Sequence, residues 1–274
     1  MKESLYIELL KNTLTDYHRT DIDEHKPISS NKSSLKFKIL RTIQEFLKVK
    51  GYSLCKIIKS TKEKRIEGKD WPIYADTMIG IKRLTNIEYC FQQIIKENIP
   101  GDLIETGVWR GGATIFMKAL LKESNITNRV VWVADSFVGL PKPNENKYTL
   151  DKGDIHHKFK ELAIPLDVVK NNFRKYGLLD NNVKFLQGWF KDTLPAAPID
   201  KLAILRLDGD MYESTMDGLV HLYPKLSIGG FIIIDDWGAV NGCKQAVNDF
   251  RLRNNITEEI IKIDWTGIYW KKEK

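Results

Sequence analysis

From Pro100 onward, short apolar runs alternate with segments of helical spacing, and this alternation constrains the fold more than any other feature of the sequence. Strands are predicted at residues 102–106, 130–135, 183–187, 202–208, 230–235, 259–263 and 268–270. Helices are predicted between them, near residues 113–123, 166–176, 214–226 and 243–254. This alternation predicts a doubly wound α/β fold, in which helices cover both faces of a mostly parallel sheet.

The last two predicted strands are separated only by residues 264–267. Because this link is too short for a parallel crossover, the two strands should pair antiparallel. A mostly parallel, seven-stranded sheet with antiparallel last strands is typical of the class I, Rossmann-like methyltransferase fold. On this pattern alone, any other doubly wound α/β enzyme remains an alternative.

Residues 1–70 are predicted to form a basic N-terminal helical extension, and residues 71–274 the catalytic domain. The extension carries +6 of the net charge of +7. Residues 25–31 are rich in turn-forming residues and are predicted as loop. An amphipathic helix is predicted from the spacing of Leu35, Ile39, Leu40, Ile43, Phe46 and Leu47. We expect its apolar side to pack on the domain or on a sister subunit, and packing on a sister subunit would make the protein a homo-oligomer. Contact with an anionic membrane surface or an acidic substrate is the alternative.

The composition excludes several classes of protein. No apolar stretch is long enough to span a bilayer, and the first residues contain acids where a signal peptide has an apolar region. Cys55, Cys90 and Cys243 are too far apart in sequence for a C-x-x-C motif. These features predict a soluble cytoplasmic protein. No groove-reading motif accompanies the positive charge, so no nucleic-acid partner is expected.

The residues that could bind a ligand or take part in catalysis lie where the predicted strands end, which is where open α/β sheets bind ligands. The first strand ends in Glu105-Thr106-Gly107, and the acid beside a glycine suits a ligand with a positive ammonium group. The second strand ends in Asp135-Ser136, where a carboxylate can accept hydrogen bonds from ribose hydroxyls. An ordinary strand–helix turn and a turn cap are the respective alternatives.

The third strand is followed by Gly188, Trp189 and Phe190. Either aromatic ring is suited to stack on an adenine ring, because aromatic side chains provide a large contact area at a small entropy cost. Core filling beneath the loop is an equally good interpretation of either ring.

The fourth and fifth strands give the strongest signal, because they end in Asp208 and in Asp235-Asp236. Neighbouring strands lie about 4.8 Å apart, so these carboxylates should meet at one edge of the sheet. A hard divalent cation such as Mg²⁺ relieves the repulsion of clustered carboxylates and leaves positions free for substrate hydroxyls. Turn capping is the alternative, and Asp210 is expected to do only that.

Several long segments closely resemble the macrocin O-methyltransferase family, the sugar O-methyltransferases of antibiotic tailoring. They are DLIETGVWRGGA, VVWVADSFVGLP, NNFRKYGLLDNNVKFLQGWFKDTLP, LAILRLDGDMYESTMDGL, GGFIIIDDWG and IDWTGIYWKK, and they extend from about Trp71 to Lys272. The resemblance implies a class I fold, S-adenosylmethionine as methyl donor, Mg²⁺, and a hydroxyl of a (deoxy)sugar or glycosylated natural product as acceptor. A catechol or another small hydroxyl compound is the alternative acceptor.

The resemblance also implies roles for individual residues. Asp208, Asp235 and Asp236 would be metal ligands, and Asp208 would also be the general base. The residues expected against the donor are Glu105, Thr106, Gly107, Asp135, Ser136, Gly188, Trp189 and Asp208.

His156 and His157 lie in a long irregular stretch, residues 141–165, of the kind that often forms a lid. Neither histidine is assigned a catalytic role, because a surface histidine in such a loop is more often without one. A dinucleotide-dependent enzyme is disfavoured, because G-x-G-x-x-G is missing after the first strand. A binding module without activity is disfavoured by the clustered carboxylates.

Overall fold

The computed structural model describes residues 4–27 and 35–274. Its N-terminal elements are α1 (Leu5–Leu14), β1 (Asp23–Pro27), α2 (Leu35–Val49), β2 (Cys55–Lys59) and α3 (Lys62–Glu67). β1 and β2 pair antiparallel, with Asp23 opposite Lys59. The loop prediction for residues 25–31 is therefore wrong as far as Pro27, and the rest of it lies outside the described residues. The sequence of β1, DEHKP, lacks the apolar alternation by which a strand is predicted.

The remaining strands form one sheet in the order β5-β4-β3-β6-β7-β9-β8. They are β3 (Asp102–Thr106), β4 (Val131–Asp135), β5 (Val183–Gln187), β6 (Leu202–Leu207), β7 (Leu226–Ile234), β8 (Ile261–Lys262) and β9 (Ile268–Lys271). β5, β4, β3, β6 and β7 are parallel, whereas β9 pairs antiparallel with both β7 and β8. The predicted sheet with antiparallel last strands is confirmed.

Helices cover both faces of this sheet. They are α4 (Ile81–Lys96), α5 (Gly112–Glu123), α6 (Leu166–Lys175), α7 (Phe190–Thr193), α8 (Tyr212–Leu222) and α9 (Asn241–Arg253). Successive residues of a strand point to opposite faces. In β6, Ile204 accordingly packs in the apolar cluster beneath α4 and α5, and Leu205 in the cluster beneath α8 and α9. Burial on both faces explains why the central strands read as continuous apolar runs.

Helix α1 belongs to the main core. Its apolar side chains Ile7, Leu10 and Leu14 are buried in the same cluster as Leu84 of α4 and Phe116 of α5. Ser4 caps the helix by accepting a hydrogen bond from the backbone N–H of Ile7. The division predicted at residue 70 stays a prediction, and the structure adds that the first helix contributes to the core of the sheet domain.

Part of the apolar side of α2 is not covered by the described part of the chain. Ile39, Ile43 and Phe46 are 55%, 43% and 60% exposed, whereas Leu40 and Leu47 are half-buried. The described residues therefore cover this side only in part, and its packing on a sister subunit stays a prediction. Gln44 fastens the helix to the following turn, since its side chain donates to Ser53 Oγ and accepts from the N–H of Leu54.

Among the helices that the structure describes, none has the length and apolar character needed to cross a bilayer.

Candidate active site

The strand order reverses between β3 and β6, which are neighbours in the sheet although β4 and β5 lie between them in sequence. Ligands bind outside the carboxyl ends of the strands at such a switch point. Thr106 lies opposite Leu207, and Leu207 lies opposite Ile234. The N–H of Asp208 donates to the carbonyl of Thr106, and the N–H of Asp235 to that of Leu207, each at 2.9 Å. The residues that follow β6 and β7 therefore lie side by side, as predicted.

The acidic side chains at these strand ends form a compact cluster. Asp208, Asp235 and Asp236 each offer one carboxylate oxygen, and the three oxygens lie within 4.8 Å of one another. Asp235 and Asp236 are buried, whereas the side chain of Asp208 is 27% exposed. The three residues named from the sequence are thus brought together at a single point.

The three carboxylates differ in electrostatic environment. Burial, reinforced by neighbouring carboxylates, raises the pKa of Asp236 well above its ordinary value. Burial and the charge of Asp235 raise the pKa of Asp208 in the same direction. Burial also acts on Asp235, but two guanidinium groups outweigh it and lower the pKa of this residue. A bound cation would act mainly on Asp208 and Asp236, whose charge the protein leaves less compensated.

One of these guanidinium groups belongs to Arg206, which is fully buried in β6. Its Nη1 donates to Asp208 Oδ2 at 3.0 Å and also to Glu105 Oε1, while its Nη2 donates to Asp235 Oδ1. Burial alone would lower the pKa of Arg206, but the carboxylates around it raise the pKa above the ordinary value. Arg206 therefore joins the ends of β3, β6 and β7 through one planar group.

The second guanidinium group belongs to Arg83, in the first turn of α4, and is also buried. Its Nη1 donates to Asp235 Oδ2, and its Nε lies 2.9 Å from Asp264 Oδ2. Its Nη2 donates to the carbonyl oxygen of Gly68 at 3.2 Å. Each oxygen of the Asp235 carboxylate therefore faces a different arginine.

A cavity of about 290 Å³ lies over the ends of β4, β5 and β6. Its lining includes Asp135, Ser136, Gly188, Trp189 and Asp208, which are five of the residues expected against the donor. The other three, Glu105, Thr106 and Gly107, are not part of the described lining. Glu105 is buried in an ion pair with Arg206, and its Oε2 has no hydrogen-bond partner among the described residues.

Asp135 closes the turn after β4. Its Oδ2 accepts from the N–H of Val108 at 2.8 Å, and its Oδ1 accepts from the N–H of Phe137 at 2.7 Å. The hydroxyl of Ser136 donates to the carbonyl of Gly139 at 2.6 Å. The turn cap that was the alternative for Asp135 is therefore present.

A second cavity, of about 310 Å³, lies on the other side of the cluster. Its lining contains Asp235 and Asp236 and, in common with the first cavity, Asp208 and Asp210. Other parts of its wall are Trp71, Met78, His156, Leu162 and Trp265. A larger cavity of about 690 Å³, near the C-terminus, contains none of the clustered carboxylates. The two smaller cavities meet at Asp208, which is the geometry needed to bring two substrates together.

The segment between β4 and α6 covers both cavities and is anchored at several points. Asp151 is buried, and its carboxylate accepts from the N–H groups of Tyr212 and Glu213 at 2.6 and 3.2 Å. These N–H groups belong to the first turn of α8, so the segment supplies the cap of that helix. His156 Nδ1 lies 2.7 Å from Asp154 Oδ2.

Arg206 and Arg83 were not expected in the site, and Asp210 was expected only to cap a turn. Asp210 lines both cavities, and its N–H donates to Asp236 Oδ2 at 3.1 Å. Burial raises the pKa of Asp210 to about 6, against the opposing charge of His156. A signal for Arg206 was present in the sequence, because an arginine inside the buried run LAILRL requires internal counter-charges.

Comparison with known proteins agrees with this fold. The family model for macrocin-O-methyltransferase (TylF) matches residues 3–272. A demethyldecarbamoylnovobiocin O-methyltransferase from Streptomyces niveus is 53% identical over 214 residues, covering 78% of this chain and 82% of the relative. An 8-demethyl-8-(2,3-dimethoxy-alpha-L-rhamnosyl)-tetracenomycin-C 4'-O-methyltransferase from Streptomyces olivaceus is 52% identical over 208 residues, covering 76% and 79%. The solved structure of the O-methyltransferase NovP matches with a TM-score of 0.83 and 43% identity, covering 98% of this chain and 99% of that one.

The fold and these relatives define the class of the protein, which is an O-methyltransferase with the predicted class I fold. More particularly, the chain belongs to the macrocin-O-methyltransferase family. The family match begins at residue 3, so it extends over the N-terminal region, where the sequence motifs showed little resemblance.

Proposed function

We propose that this O-methyltransferase transfers the methyl group of S-adenosylmethionine to a hydroxyl of a (deoxy)sugar or glycosylated natural product, with Mg²⁺ held by Asp208, Asp235 and Asp236. One observation carries the proposal: a cavity with the features of a donor site and a cavity that contains the carboxylate cluster share Asp208. Methyl transfer requires an acceptor oxygen in line with the S–CH₃ bond, so both substrates must meet at one point.

The donor side is proposed to use the residues that line the first cavity. Asp135 would accept hydrogen bonds from the ribose hydroxyls, and Trp189 would pack against the adenine ring. Ser136 and Gly188 complete the wall. Glu105 would attract the donor's ammonium group, beside Thr106, which ends β3, and Gly107, which follows it.

The carboxylate cluster fits a hard divalent cation, because Mg²⁺ prefers oxygen ligands and usually takes only a few protein carboxylates. The fit is supported by the three oxygens within 4.8 Å of one another and by the raised pKa of Asp208 and Asp236. When bound, Mg²⁺ supplies Lewis-acid chemistry, lowering the pKa of a substrate hydroxyl.

Asp208 is proposed as the general base, because it is the carboxylate of the cluster that also lines the donor-side cavity. In the reaction the acceptor O–H bond and the S–CH₃ bond break and a new O–CH₃ bond forms. The proton passes to the Asp208 carboxylate, and S-adenosylhomocysteine is the second product. A positioned base typically contributes a factor of about 10²–10⁴ to the rate.

A sugar acceptor is favoured by the tetracenomycin relative, whose name specifies a rhamnosyl group and a 4'-hydroxyl. The second cavity is compatible with a sugar ring, since the indole rings of Trp71 and Trp265 form parts of its wall. A catechol would also present two adjacent hydroxyls to the carboxylates. An acceptor screen with the relatives' substrates and a simple catechol distinguishes the two.

The test of the proposal is Asp208→Asn. We expect this variant to lose methyl transfer by at least about 100-fold, because it removes the base and one metal ligand. Binding of S-adenosylhomocysteine, measured by calorimetry, should change little. Asp200→Asn, an exposed aspartate before β6, is the matched control and should keep full turnover. Near-wild-type turnover of Asp208→Asn would show that the metal-and-base assignment is wrong.

A further inference from the structure

We propose that Arg83 and Arg206 are positioning residues of the carboxylate site, with Arg83 acting on the cation side alone and Arg206 acting on both the cation side and the donor side. The inference rests on the proposed function, since it concerns the cation and donor sites described there. It assigns a role to two buried arginines that the proposed chemistry does not use.

Asp235 is held from two directions. Arg83 reaches Oδ2 from α4, and Arg206 reaches Oδ1 from β6. Because both oxygens are engaged, the carboxylate cannot rotate without losing a buried charge-assisted hydrogen bond. Its orientation is therefore fixed before any cation arrives.

The distance between two of the proposed ligands depends on Arg206. Its Nη2 holds Asp235, and its Nη1 holds Asp208 at 3.0 Å. The guanidinium group is planar and rigid, so it sets the separation of the two carboxylates. The same Nη1 also holds Glu105, the proposed partner of the donor's ammonium group, and Asp208 itself lines the donor-side cavity. A disturbance of Arg206 should consequently reach both halves of the site.

Arg83 is placed differently. Besides Asp235, its polar partners among the described residues are Asp264 and the carbonyl oxygen of Gly68. Neither of these lines the donor-side cavity, whereas Gly68 lines the second cavity. A disturbance of Arg83 should therefore change the cation side and leave the donor side intact.

Lysine cannot replace either arginine. A lysine keeps the positive charge but offers a single ammonium group in place of a planar fork, so it cannot hold two or three partners in fixed directions. Arg→Lys variants consequently separate positioning from charge. Arg129→Lys is the matched control, because Arg129 donates to the carbonyls of Gly101 and Ile99 at the opposite edge of the sheet.

The experiment measures two affinities on the full-length protein. Mn²⁺ is titrated as a spectroscopic substitute for Mg²⁺ and followed by electron paramagnetic resonance, and S-adenosylhomocysteine is titrated by calorimetry. We expect Arg83→Lys to weaken Mn²⁺ binding by at least about tenfold, as is found for other residues that orient metal ligands. Its affinity for S-adenosylhomocysteine should stay within about twofold of that of the wild type. Arg206→Lys should weaken both by at least about tenfold. Arg129→Lys should change neither.

Each other outcome counts against the inference. Wild-type Mn²⁺ affinity in both Arg83→Lys and Arg206→Lys overturns it while leaving the proposed function standing. An Arg206→Lys variant that weakens only Mn²⁺ binding overturns the link to the donor side. Wild-type protein that binds S-adenosylhomocysteine but no Mn²⁺ overturns the proposed cation site as well. If an arginine variant does not fold, Asp264→Asn decides, because it removes the charge that faces Arg83 Nε and keeps an oxygen that can accept from the N–H groups of Thr266 and Gly267. This variant should weaken Mn²⁺ binding alone.

Discussion

At the scale of single residues, Gly107 is a position where the fold leaves no room for a side chain. Its φ is +81°, and a Cβ atom built on it would lie 1.7 Å from the carbonyl oxygen of Asp208. The close approach follows from the switch point, where the chain leaving β3 passes directly beside the end of β6. A side chain here would push apart the two strands that carry the site.

We expect Gly107→Ala to lose at least about 4 kcal/mol of unfolding free energy, or to yield no folded protein, because steric overlap adds to backbone strain. Gly177→Ala is the control, since Gly177 also has a positive φ but has open space around it. Strain alone should cost the control about 1–2 kcal/mol. Urea unfolding measures both variants, and equal losses would show that the contact with Asp208 is unimportant.

The sequence predicts some residues of the site better than others, for a physical reason. Asp208, Asp235 and Asp236 follow buried strands, and parallel strands bring their ends together whatever else the chain does. The partners of Arg83 depend instead on how α4 packs, and Asp235 is 152 positions away from it. No local pattern encodes a contact of that kind, so the ion pairs behind the cluster are visible only in the folded chain.

At the scale of secondary-structure elements, the predicted strands agree well with the structure in the parallel part of the sheet. β3 and β5 have the predicted bounds, and β6 ends one residue earlier than predicted. β7 begins at Leu226, four residues before its predicted start, because Tyr223–Lys225 form a short 3₁₀ turn and α8 ends at Leu222. The pairing of β1 with β2 was missed because polar edge strands lack the apolar signal that marks a buried strand.

Helix α8 carries a like-charge pair that makes stability depend on pH. Burial and the charge of Glu213, one turn before it, raise the pKa of Asp217 to about 6. In the unfolded chain an aspartate titrates near 3.9, so the folded state holds its proton more tightly. The resulting contribution to stability is present at low pH and is lost as the pH rises from about 4 through about 6.

Asp217→Asn should therefore stabilise the protein at pH 8 and give no gain at pH 4. The expected gain is on the order of 0.5 kcal/mol, because Asp217 is half-buried and solvent screens its charge. Urea unfolding followed by circular dichroism at the two pH values measures it. A gain of equal size at both values would contradict the role of ionisation.

At the scale of the whole molecule, the N-terminal region both completes the core and presents an apolar surface. Helix α1 fills the core beside α4 and α5. Helix α2 instead exposes Ile39, Ile43 and Phe46 along one face. A face of this kind suits a protein partner better than water. Self-association through it remains the prediction made from the sequence.

We expect the protein to sediment as a species larger than its chain mass of 31.7 kDa. Ile43→Glu should shift it to the monomer, because a charge placed in a buried apolar contact is strongly unfavourable. Thr42→Glu, on an exposed neighbouring position, should leave the mass unchanged. Analytical ultracentrifugation gives all three masses, and a monomeric wild type would show that self-association is wrong.

The central claim is that the two cavities meeting at Asp208 form a donor site and a cation-assisted acceptor site. Calorimetric titration with S-adenosylhomocysteine, first with Mg²⁺ and then with EDTA, tests the donor half of this claim most directly. We expect stoichiometric binding in both conditions, because protein side chains and backbone form the walls of the donor-side cavity and no cation is needed to complete it. Absence of binding in both conditions would contradict the assignment of S-adenosylmethionine as the methyl donor.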